Sequence, residues 1–377
     1  MSQPPDFPID LQRPASDSTH TATGDRKNEH LRIALGDART QRPGRTHGLE
    51  RYRFEMTSLP ELSLDHVDTR CTLLGRPLRA PLLVGAMTGG TDQAGRVNRI
   101  LAEAAGRCGV GFCLGSQRPM LDFKPEHVAS FAVRDVAPHT LILGNVGAIQ
   151  LRDHLDGAGL ERLAHAVGAD GMLVHLNPLQ EAVQMEGDRD WRGVLDALGE
   201  CAAGCNLPVL VKEVGGGLGE QTLAVLAATG IAGVETAGVG GTSWAQIEAL
   251  RHAARTPRAI VGEVLADFGT STAESITLAR KAFPRRIVLG SGGLRDGMEV
   301  AKCLALGANA CAMAWPFLQA AQHGVDAVVC EIEGVIETLR TVMFLVGAPD
   351  LLQLQRTSLR EEAGLVLWHR ADEGSFR

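Results

Sequence analysis

Residues 175–181 (HLNPLQE) carry an imidazole, two amides and a carboxylate directly after the apolar run 171–174 (GMLV). An apolar run that ends in such side chains indicates a buried strand that delivers them to a ligand site. Asn177 could cap a short helical turn with Pro178 at its first position. Taken alone, the segment fits equally well an ordinary connection between a strand and a helix, with its polar residues in water.

Short apolar runs alternate with helix-length segments from about residue 80 onwards. Most of these runs show no alternation of polar and apolar residues, which is typical of strands buried on both faces of a parallel sheet. The predicted strands are 82–86, 110–114, 141–144, 171–174, 208–211, 233–236, 287–290 and 310–314, with helices between them, for example at 94–108, 191–203 and 296–306 and two within 243–286. This pattern predicts an α/β protein, a (β/α)8 TIM barrel with an N-terminal extension, and a doubly wound sheet is the alternative.

Glycine-rich segments follow the sixth and seventh predicted strands, at 240–242 (GGT) and 291–293 (SGG). The second segment opens a predicted helix, so its backbone N–H groups can approach an anion closely. Barrels often bind phosphate at the loops after strands seven and eight. Either segment alone could be a simple turn, but together they predict a phosphorylated cofactor, most simply FMN.

Lys212 ends an otherwise apolar strand and is the predicted contact of the flavin ring. A cation beside the N1–C2 edge of a flavin stabilises the negative charge that gathers there on reduction. The alternative is a lysine that extends its amine from the rim of the barrel into water.

Arg26, Lys27 and Arg118 provide more positive charge than one cofactor phosphate needs, which predicts a second anion site. Glu181 fits beside them because Mg²⁺ typically takes one or two carboxylates together with substrate phosphate oxygens. The alternatives are a solvated helix start for Arg26 and Lys27 and an ordinary surface carboxylate for Glu181.

The chain has 377 residues, and its 44 glycines and 4% aromatic share suit an enzyme with many tight loops. A net charge of −7 without a basic run argues against nucleic acid as a partner, and no apolar run is long enough to span a bilayer. The 8 cysteines are scattered and the N-terminus lacks a signal-type apolar region, which predicts a reduced, cytoplasmic protein. We expect a disordered tail at 1–24, the barrel with its N-terminal substrate segment at 25–347, and a C-terminal helix and tail at 348–377.

Several strings together resemble the type 2, FMN-dependent isopentenyl diphosphate isomerases. The resemblance runs from about residue 26 to the mid-340s. Its most specific strings are Arg26-Lys27-x-x-His30 and His175-x-Asn177-Pro178-x-Gln180-Glu181, and it continues through LPE at 59–61, AMTGG at 86–90, GSQR at 115–118, NVG at 145–147, GGTSW at 240–244 and GSGG at 290–293. The glycine loops are shared with other FMN barrels.

The resemblance implies a role for residues at nearly every strand end. The implied FMN contacts are Ala86, Met87, Thr88, Ser116, Asn145, Lys212, Thr242, Gly292, Gly293, Ala314 and Trp315. The implied substrate contacts are Arg26, Lys27, His30, Ser116, Gln117, Arg118, Asn177 and Gln180. Glu181 would hold Mg²⁺, and Gln180, His175 and Glu248 would act at the reacting end of the substrate. Trp315 departs from the family, which has a small or variable residue there, and the first 24 residues extend beyond its usual start.

Members of this family interconvert isopentenyl diphosphate and dimethylallyl diphosphate, with a flavin that NAD(P)H reduces and with no net redox change. NADPH is therefore the implied reductant, and a homo-oligomer, usually a tetramer or octamer, is the implied assembly. Proton transfer is assigned to the reduced flavin, and positioning to Gln180 and His175, because an amide is a poor acid or base.

Two other functions fit parts of the pattern. An FMN-dependent oxidoreductase of the 2-hydroxy acid oxidase or inosinate dehydrogenase type shares the barrel and the phosphate loops. The first type needs a late His–Arg pair, which the segment 237–241 (AGVGG) lacks, and the second needs a cysteine in a glycine-rich rim loop. A flavin-carrying barrel without catalysis would not need the second anion site.

Overall fold

The computed structural model describes residues 22–36, 45–252, 255–361 and 367–368. The predicted tail at 1–24 lies outside the described residues up to position 21. Helix α1 (Ala22–Gly36) begins at Ala22, so it starts within the last three residues of that predicted tail.

Among the described residues between α1 and the barrel, three form short strands. Strand β1 (Tyr52–Phe54) is followed by a hairpin of β2 (Cys71–Leu73) and β3 (Arg76–Leu78). Leu73 and Leu78 of the hairpin are buried in the same apolar cluster as Leu83, Leu143 and other side chains of the barrel interior. The hairpin therefore contributes to the core inside the barrel.

Eight parallel strands close into a barrel, which confirms the predicted (β/α)8 architecture and excludes the doubly wound sheet. In chain order they are β4 (Leu82–Val84), β5 (Gly111–Cys113), β6 (Ile142–Gly147), β7 (Gly171–Leu176), β8 (Val209–Glu213), β9 (Gly233–Glu235), β10 (Ile287–Ser291) and β11 (Ala310–Met313). Strand β11 pairs with β4, so the sheet has no free edge. The strands are rich in Val, Leu and Ile because both faces are covered, by the interior on one side and by helices on the other.

Helices surround the barrel and pack on it through a large apolar cluster. They are α2 (Asp92–Cys108), α3 (Pro125–Ala129), α4 (Ala148–His154), α5 (Gly157–Ala166), α6 (Pro178–Val183), α7 (Val194–Gly204), α8 (Glu220–Ala227), α9 (Trp244–Arg251), α10 (Pro257–Val264), α11 (Thr272–Ala282), α12 (Gly297–Leu306), α13 (Trp315–Ala321), α14 (Val325–Leu345) and α15 (Leu351–Arg356). Between β9 and β10 three helices are seen where two were predicted. Within the described part of the chain, every helix is too short or too polar to cross a bilayer.

The C-terminal region contains strands that the prediction of a helix and tail missed. Strand β12 (Leu359–Glu361) pairs antiparallel with β1 and with β13 (Leu367–Trp368). A three-residue strand whose partner lies some 300 residues away carries no local signal, because its pairing depends on tertiary structure. The rest of the predicted tail lies outside the described residues.

Strands β6, β7 and β8 are longer than predicted and include Asn145, His175 and Lys212. Their polar side chains suggested that each strand had ended, but the parallel ladder continues through them. His175 pairs with Lys212, and Lys212 pairs with Glu235 on β9. Three polar residues therefore stand side by side at one level of the barrel wall.

Candidate functional site

A cavity of about 250 Å³ opens at the carboxyl ends of the barrel strands. This volume is many times the roughly 10–15 Å³ that one water needs, so the cavity can hold a small molecule. Nearly all of the predicted site residues line it: Arg26, Lys27, His30, Ala86, Met87, Thr88, Ser116, Arg118, Asn145, His175, Asn177, Gln180, Glu181, Lys212, Thr242, Gly292, Gly293, Ala314 and Trp315.

Two predicted site residues do not line the cavity. Gln117 is fully buried, its Oε1 accepts a hydrogen bond from the backbone N–H of Asn145 at 2.8 Å, and its Nε2 donates to the carbonyl of Leu163. This side chain therefore fixes β6 and does not line the cavity. Glu248 is also fully buried, and it acts on the cavity through neighbouring side chains.

Glu235 is a cavity residue that sequence reasoning missed. Its carboxylate is buried, and Oε1 accepts a hydrogen bond from the Ser291 hydroxyl at 2.9 Å and lies 3.7 Å from Nζ of Lys212. The other carboxylate oxygen, Oε2, is buried without a partner. The signal was present in the sequence, because Glu235 is an acid in an otherwise apolar strand.

Lys212 is buried in the cavity wall and does not extend into water, so the alternative of a solvated lysine is excluded. Its Nζ donates a hydrogen bond to the Glu213 carbonyl at 2.6 Å. With Glu235 beside it, the ammonium has both a counter-charge and a hydrogen-bond acceptor, as a buried cation requires.

His175 is neutral at physiological pH because burial, and then the charges of Lys212, Lys27 and Arg118, lower its pKa to about 3. Its Nδ1 lies 2.8 Å from Oδ1 of Asn145. Since that oxygen only accepts hydrogen bonds, Nδ1 carries the ring proton, and Nε2 is left as an acceptor.

Two glycine loops meet backbone to backbone beside the cavity. A Cβ atom added at Gly241 would lie 2.4 Å from the backbone nitrogen of Gly293, and one at Gly293 would lie 2.3 Å from the carbonyl oxygen of Gly240. Gly292 and Gly293 also have φ angles of 112° and 79°, which residues with side chains rarely adopt. The close approach of the two backbones and the positive φ angles therefore require glycine at these positions.

Helix α1 lies against the cavity mouth and brings Arg26, Lys27 and His30 to it. Nζ of Lys27 donates to the Ser116 carbonyl at 2.8 Å. Burial, and then the charges of Arg26 and Arg118, lower the pKa of Lys27 to about 7. These contacts exclude a solvated helix start for Lys27.

Two tryptophans hold α1 in place. Trp244 packs edge-to-face on His30, with ring centroids 5.2 Å apart. Nε1 of Trp315 donates a hydrogen bond to the carbonyl of Ala34 at 3.3 Å. Trp315 thus gives α1 a contact that a small residue could not make.

Gln180 and Asn177 belong to a polar network at the start of α6. Pro178 is in the first turn as predicted, but the Asn177 side chain does not cap the helix. Its Nδ2 instead donates to Oε1 of Glu181 at 2.9 Å and to Oε1 of Gln180 at 3.2 Å. Nε2 of Gln180 donates to Oε1 of Glu248 at 2.9 Å.

Glu181 is buried, which excludes an ordinary surface carboxylate. Oε2 accepts a hydrogen bond from the backbone N–H of Asp188 at 2.7 Å, and burial raises the pKa of the carboxyl group. Among the residues that the structure describes, no group of three or more His, Cys, Asp or Glu side chains could hold a metal ion by itself. A cation at Glu181 would take further ligands from a bound anion and water.

Comparison with known proteins gives the chain its family. It is 44% identical over 337 residues to an isopentenyl-diphosphate delta-isomerase of Stutzerimonas stutzeri, covering 89% of this chain and 96% of the relative. It is 43% identical to one of a Synechococcus species, covering 88% and 94%. The chain belongs to the isopentenyl-diphosphate delta-isomerase family. In addition, residues 184–361 of this family member match the family model for FMN-dependent dehydrogenase.

Solved structures show the same barrel at low sequence identity. A flavocytochrome b2 variant with sulfite bound has a TM-score of 0.64 and 18% identity, covering 89% of this isomerase-family chain and 84% of that chain. Mandelate oxidase with (S)-2-phenylpropionate has a TM-score of 0.62 and 18% identity, covering 89% and 95%. At this identity the likeness concerns the fold alone.

Proposed function

We propose that this protein interconverts isopentenyl diphosphate and dimethylallyl diphosphate in the cavity at the mouth of the barrel, with FMN and Mg²⁺ as cofactors and NADPH as the flavin reductant. The observation that carries the proposal is the presence of two anion-binding features on one cavity. The glycine loops follow β9 and β10, whereas Lys27 lies by the loop that follows β5 and Arg118 follows that strand. A cofactor phosphate and a substrate diphosphate need two such features.

FMN fits the residues present. The glycine loops around Gly241 and Gly293 leave no room for side chains and offer backbone N–H groups to a phosphate. Lys212 supplies a fixed positive charge in the wall of the same cavity. When bound and reduced, FMN would supply an electron-rich surface and an exchangeable proton beside the substrate.

The substrate diphosphate would lie by Arg26, Lys27 and Arg118. All three cations line the cavity, and the pKa of Lys27 is lowered first by burial and then by the repulsion of Arg26 and Arg118. A diphosphate would relieve that repulsion and form charge-assisted hydrogen bonds with the guanidinium and ammonium groups. Glu181 would hold Mg²⁺ together with phosphate oxygens.

The hydrocarbon end of the substrate would be positioned by groups that neither react with its cationic intermediate nor protonate it. The reaction passes a proton to one carbon and takes one from another, and the cationic species between is destroyed by water. His175 is neutral at physiological pH and Gln180 is an amide, so both can orient neighbours without acting as acids. Residues of helix α1 line the cavity, and the helix would limit the access of water to the hydrocarbon end.

The same proposal includes a homo-oligomeric assembly and a cytoplasmic location. The 8 cysteines of the chain are free, which fits a reducing cytoplasm. Val264 and Phe268, at the end of α10 and just after it, expose 71% and 66% of their surface. These apolar side chains fit a homo-oligomer, a tetramer or octamer, in which another subunit covers them.

The test is a direct assay of isomerisation. Protein reconstituted with FMN, reduced by NADPH without oxygen and supplied with Mg²⁺, should convert ¹³C-labelled isopentenyl diphosphate into dimethylallyl diphosphate, as followed by NMR. Protein kept oxidised should be inactive. If the protein instead oxidises lactate or mandelate and leaves isopentenyl diphosphate unchanged, the 2-hydroxy acid oxidase alternative replaces the proposal.

A further inference from the structure

Arg251, at the end of α9, joins three carboxylates from three different parts of the chain. Its Nε donates to Oε2 of Glu29 on α1 at 3.0 Å. Its Nη1 donates to Oε2 of Glu248 on α9 at 2.7 Å and to Oε1 of Glu186, just after α6, at 3.2 Å. The Arg251 side chain is only 7% exposed and that of Glu248 1%, so their bond forms out of water, whereas Glu29 and Glu186 are 37% and 43% exposed.

Each of the three carboxylates lies beside, or contacts, different residues of the proposed substrate site. Glu29 lies between Lys27 and His30 on α1. Glu186 also lies 3.4 Å from Nη1 of Arg26. Glu248 accepts the hydrogen bond from Gln180, and its Oε1 lies 3.0 Å from Nε2 of His30.

The charge balance makes this cluster depend on Arg251. The three carboxylates within reach of this guanidinium would repel each other more strongly without it. Among the described contacts, Arg26 lies beside Glu186 and His30 beside Glu248, but Arg251 alone contacts all three carboxylates. A guanidinium can bond several carboxylates at once because its five N–H donors point in fixed directions. A lysine ammonium is a compact point charge and would span fewer of these partners.

We propose that Arg251 is a positioning residue that docks helix α1 on the barrel and so assembles the substrate site before substrate arrives. The docking part stands on the contacts alone, whereas its effect on catalysis rests on the proposed function. If α1 undocks in a fraction of the molecules, only the docked fraction binds substrate, and the apparent affinity falls by that fraction. A saturating substrate concentration restores the docked form, so KM changes more than kcat.

The experiment uses the FMN-loaded full chain and the variants R251Q, R251K, E29Q and R251Q/E29Q. The matched control is R99Q, which breaks the exposed ion pair between Arg99 on α2 and Asp135, which lies between α3 and β6. Hydrogen exchange of the amides of residues 26–36 is measured without substrate, and KM, kcat and FMN content are measured for each variant. E29Q removes the charge of a partly exposed carboxylate that Arg251 contacts, so it tests the proposal even if R251Q fails to fold.

We expect R251Q to speed amide hydrogen exchange in α1. It should also raise KM for isopentenyl diphosphate by about tenfold or more, with normal FMN content. R251K should be intermediate, E29Q should show a smaller effect of the same sign, and the double variant should be no worse than R251Q, because both changes break one network. R99Q should match the wild type.

The proposal would be overturned if the amides of α1 exchanged at the wild-type rate in R251Q. If R251Q does not fold, the same result in E29Q would overturn it. Equal effects of R99Q and R251Q would overturn it too, because they would show a general loss of stability. Faster exchange of α1 in a protein that does not isomerise its substrate would uphold the docking role and refute the proposed function.

Discussion

Nε2 of Gln180 donates a hydrogen bond to Oε1 of Glu248, 2.9 Å away, and Glu248 has no exposed surface. Hydrogen bonds and charge from His30, Gln180 and Arg251 outweigh burial and lower the pKa of Glu248 to about 2. The carboxylate therefore stays charged and can only accept, which fixes the nitrogen end of the Gln180 amide towards it. Glu248, which does not line the cavity, thus determines how the amide of Gln180 is oriented towards the substrate.

Replacing Glu248 by glutamine should lower kcat, because the new amide can donate as well as accept and lets Gln180 rotate. Misplacement of a positioning group by about 1 Å costs on the order of 100-fold in rate. We expect a fall of about 10- to 100-fold in kcat at saturating substrate with normal FMN content. Glu263→Gln, an exposed change on α10, is the control. Wild-type kcat in E248Q would show that this bond does not orient Gln180.

The affinity for substrate should fall as the pH rises above about 7. Because the pKa of Lys27 is lowered to about 7, this amine loses its charge as the pH rises through that value, and the diphosphate loses a partner. KM should then rise by up to about tenfold per pH unit. Lys27→Arg keeps its charge and should give a flatter profile between about pH 7 and 9.

The comparison of the wild type with K27R cancels the ionisation of the substrate itself. Parallel KM profiles for the two proteins would mean that Lys27 does not titrate in this range or does not contact the substrate.

Replacing Lys212 by alanine should weaken FMN binding by about tenfold or more and make the bound flavin harder to reduce. The buried ammonium is a charge-assisted hydrogen-bond donor in the cavity wall, and its loss leaves Glu235 as a buried negative charge without a counter-charge. The midpoint potential of the bound flavin measures the effect. Lys281→Ala, an exposed change, is the control. An unchanged or higher potential would show that Lys212 does not face the flavin.

Replacing Glu181 by glutamine should raise the Mg²⁺ concentration needed for half-maximal activity by about tenfold or more and leave FMN content normal. The amide keeps the hydrogen-bond acceptor for Asp188 but removes the charged oxygen ligand. Activity is titrated against Mg²⁺ for the wild type, for E181Q and for Glu126→Gln, an exposed control on α3. Equal Mg²⁺ dependence of the wild type and E181Q would remove the metal role.

The barrel and most of the cavity lining were predictable because both have local signals. Each barrel strand is a short apolar run, and polar or glycine residues such as Lys212 and Gly292 stand at the strand ends. Other features depend on neighbours that only the fold brings together. Arg251 meets Glu29 across 222 positions of sequence, and β12 meets β1 across about 300.

Gln117 is the opposite case, a residue that the sequence pattern assigned to the site although its side chain does not line the cavity. It belongs to a string that resembles the family, and its neighbours Ser116 and Arg118 line the cavity. Its own side chain points away into a buried hydrogen-bond network. Sequence position places a residue near the site but does not determine the direction of its side chain.

The number of dimethylallyl diphosphate molecules formed per NADPH oxidised tests the proposed isomerisation most directly. The measurement combines product NMR with absorbance of NADPH on the same FMN-loaded, oxygen-free, Mg²⁺-containing sample. An isomerase that needs its flavin reduced only once should form many product molecules for each NADPH consumed. A ratio near one, or NADPH oxidation that continues beyond reduction of the bound FMN without forming dimethylallyl diphosphate, would contradict an isomerisation, because it would show that electrons leave the flavin in each turnover.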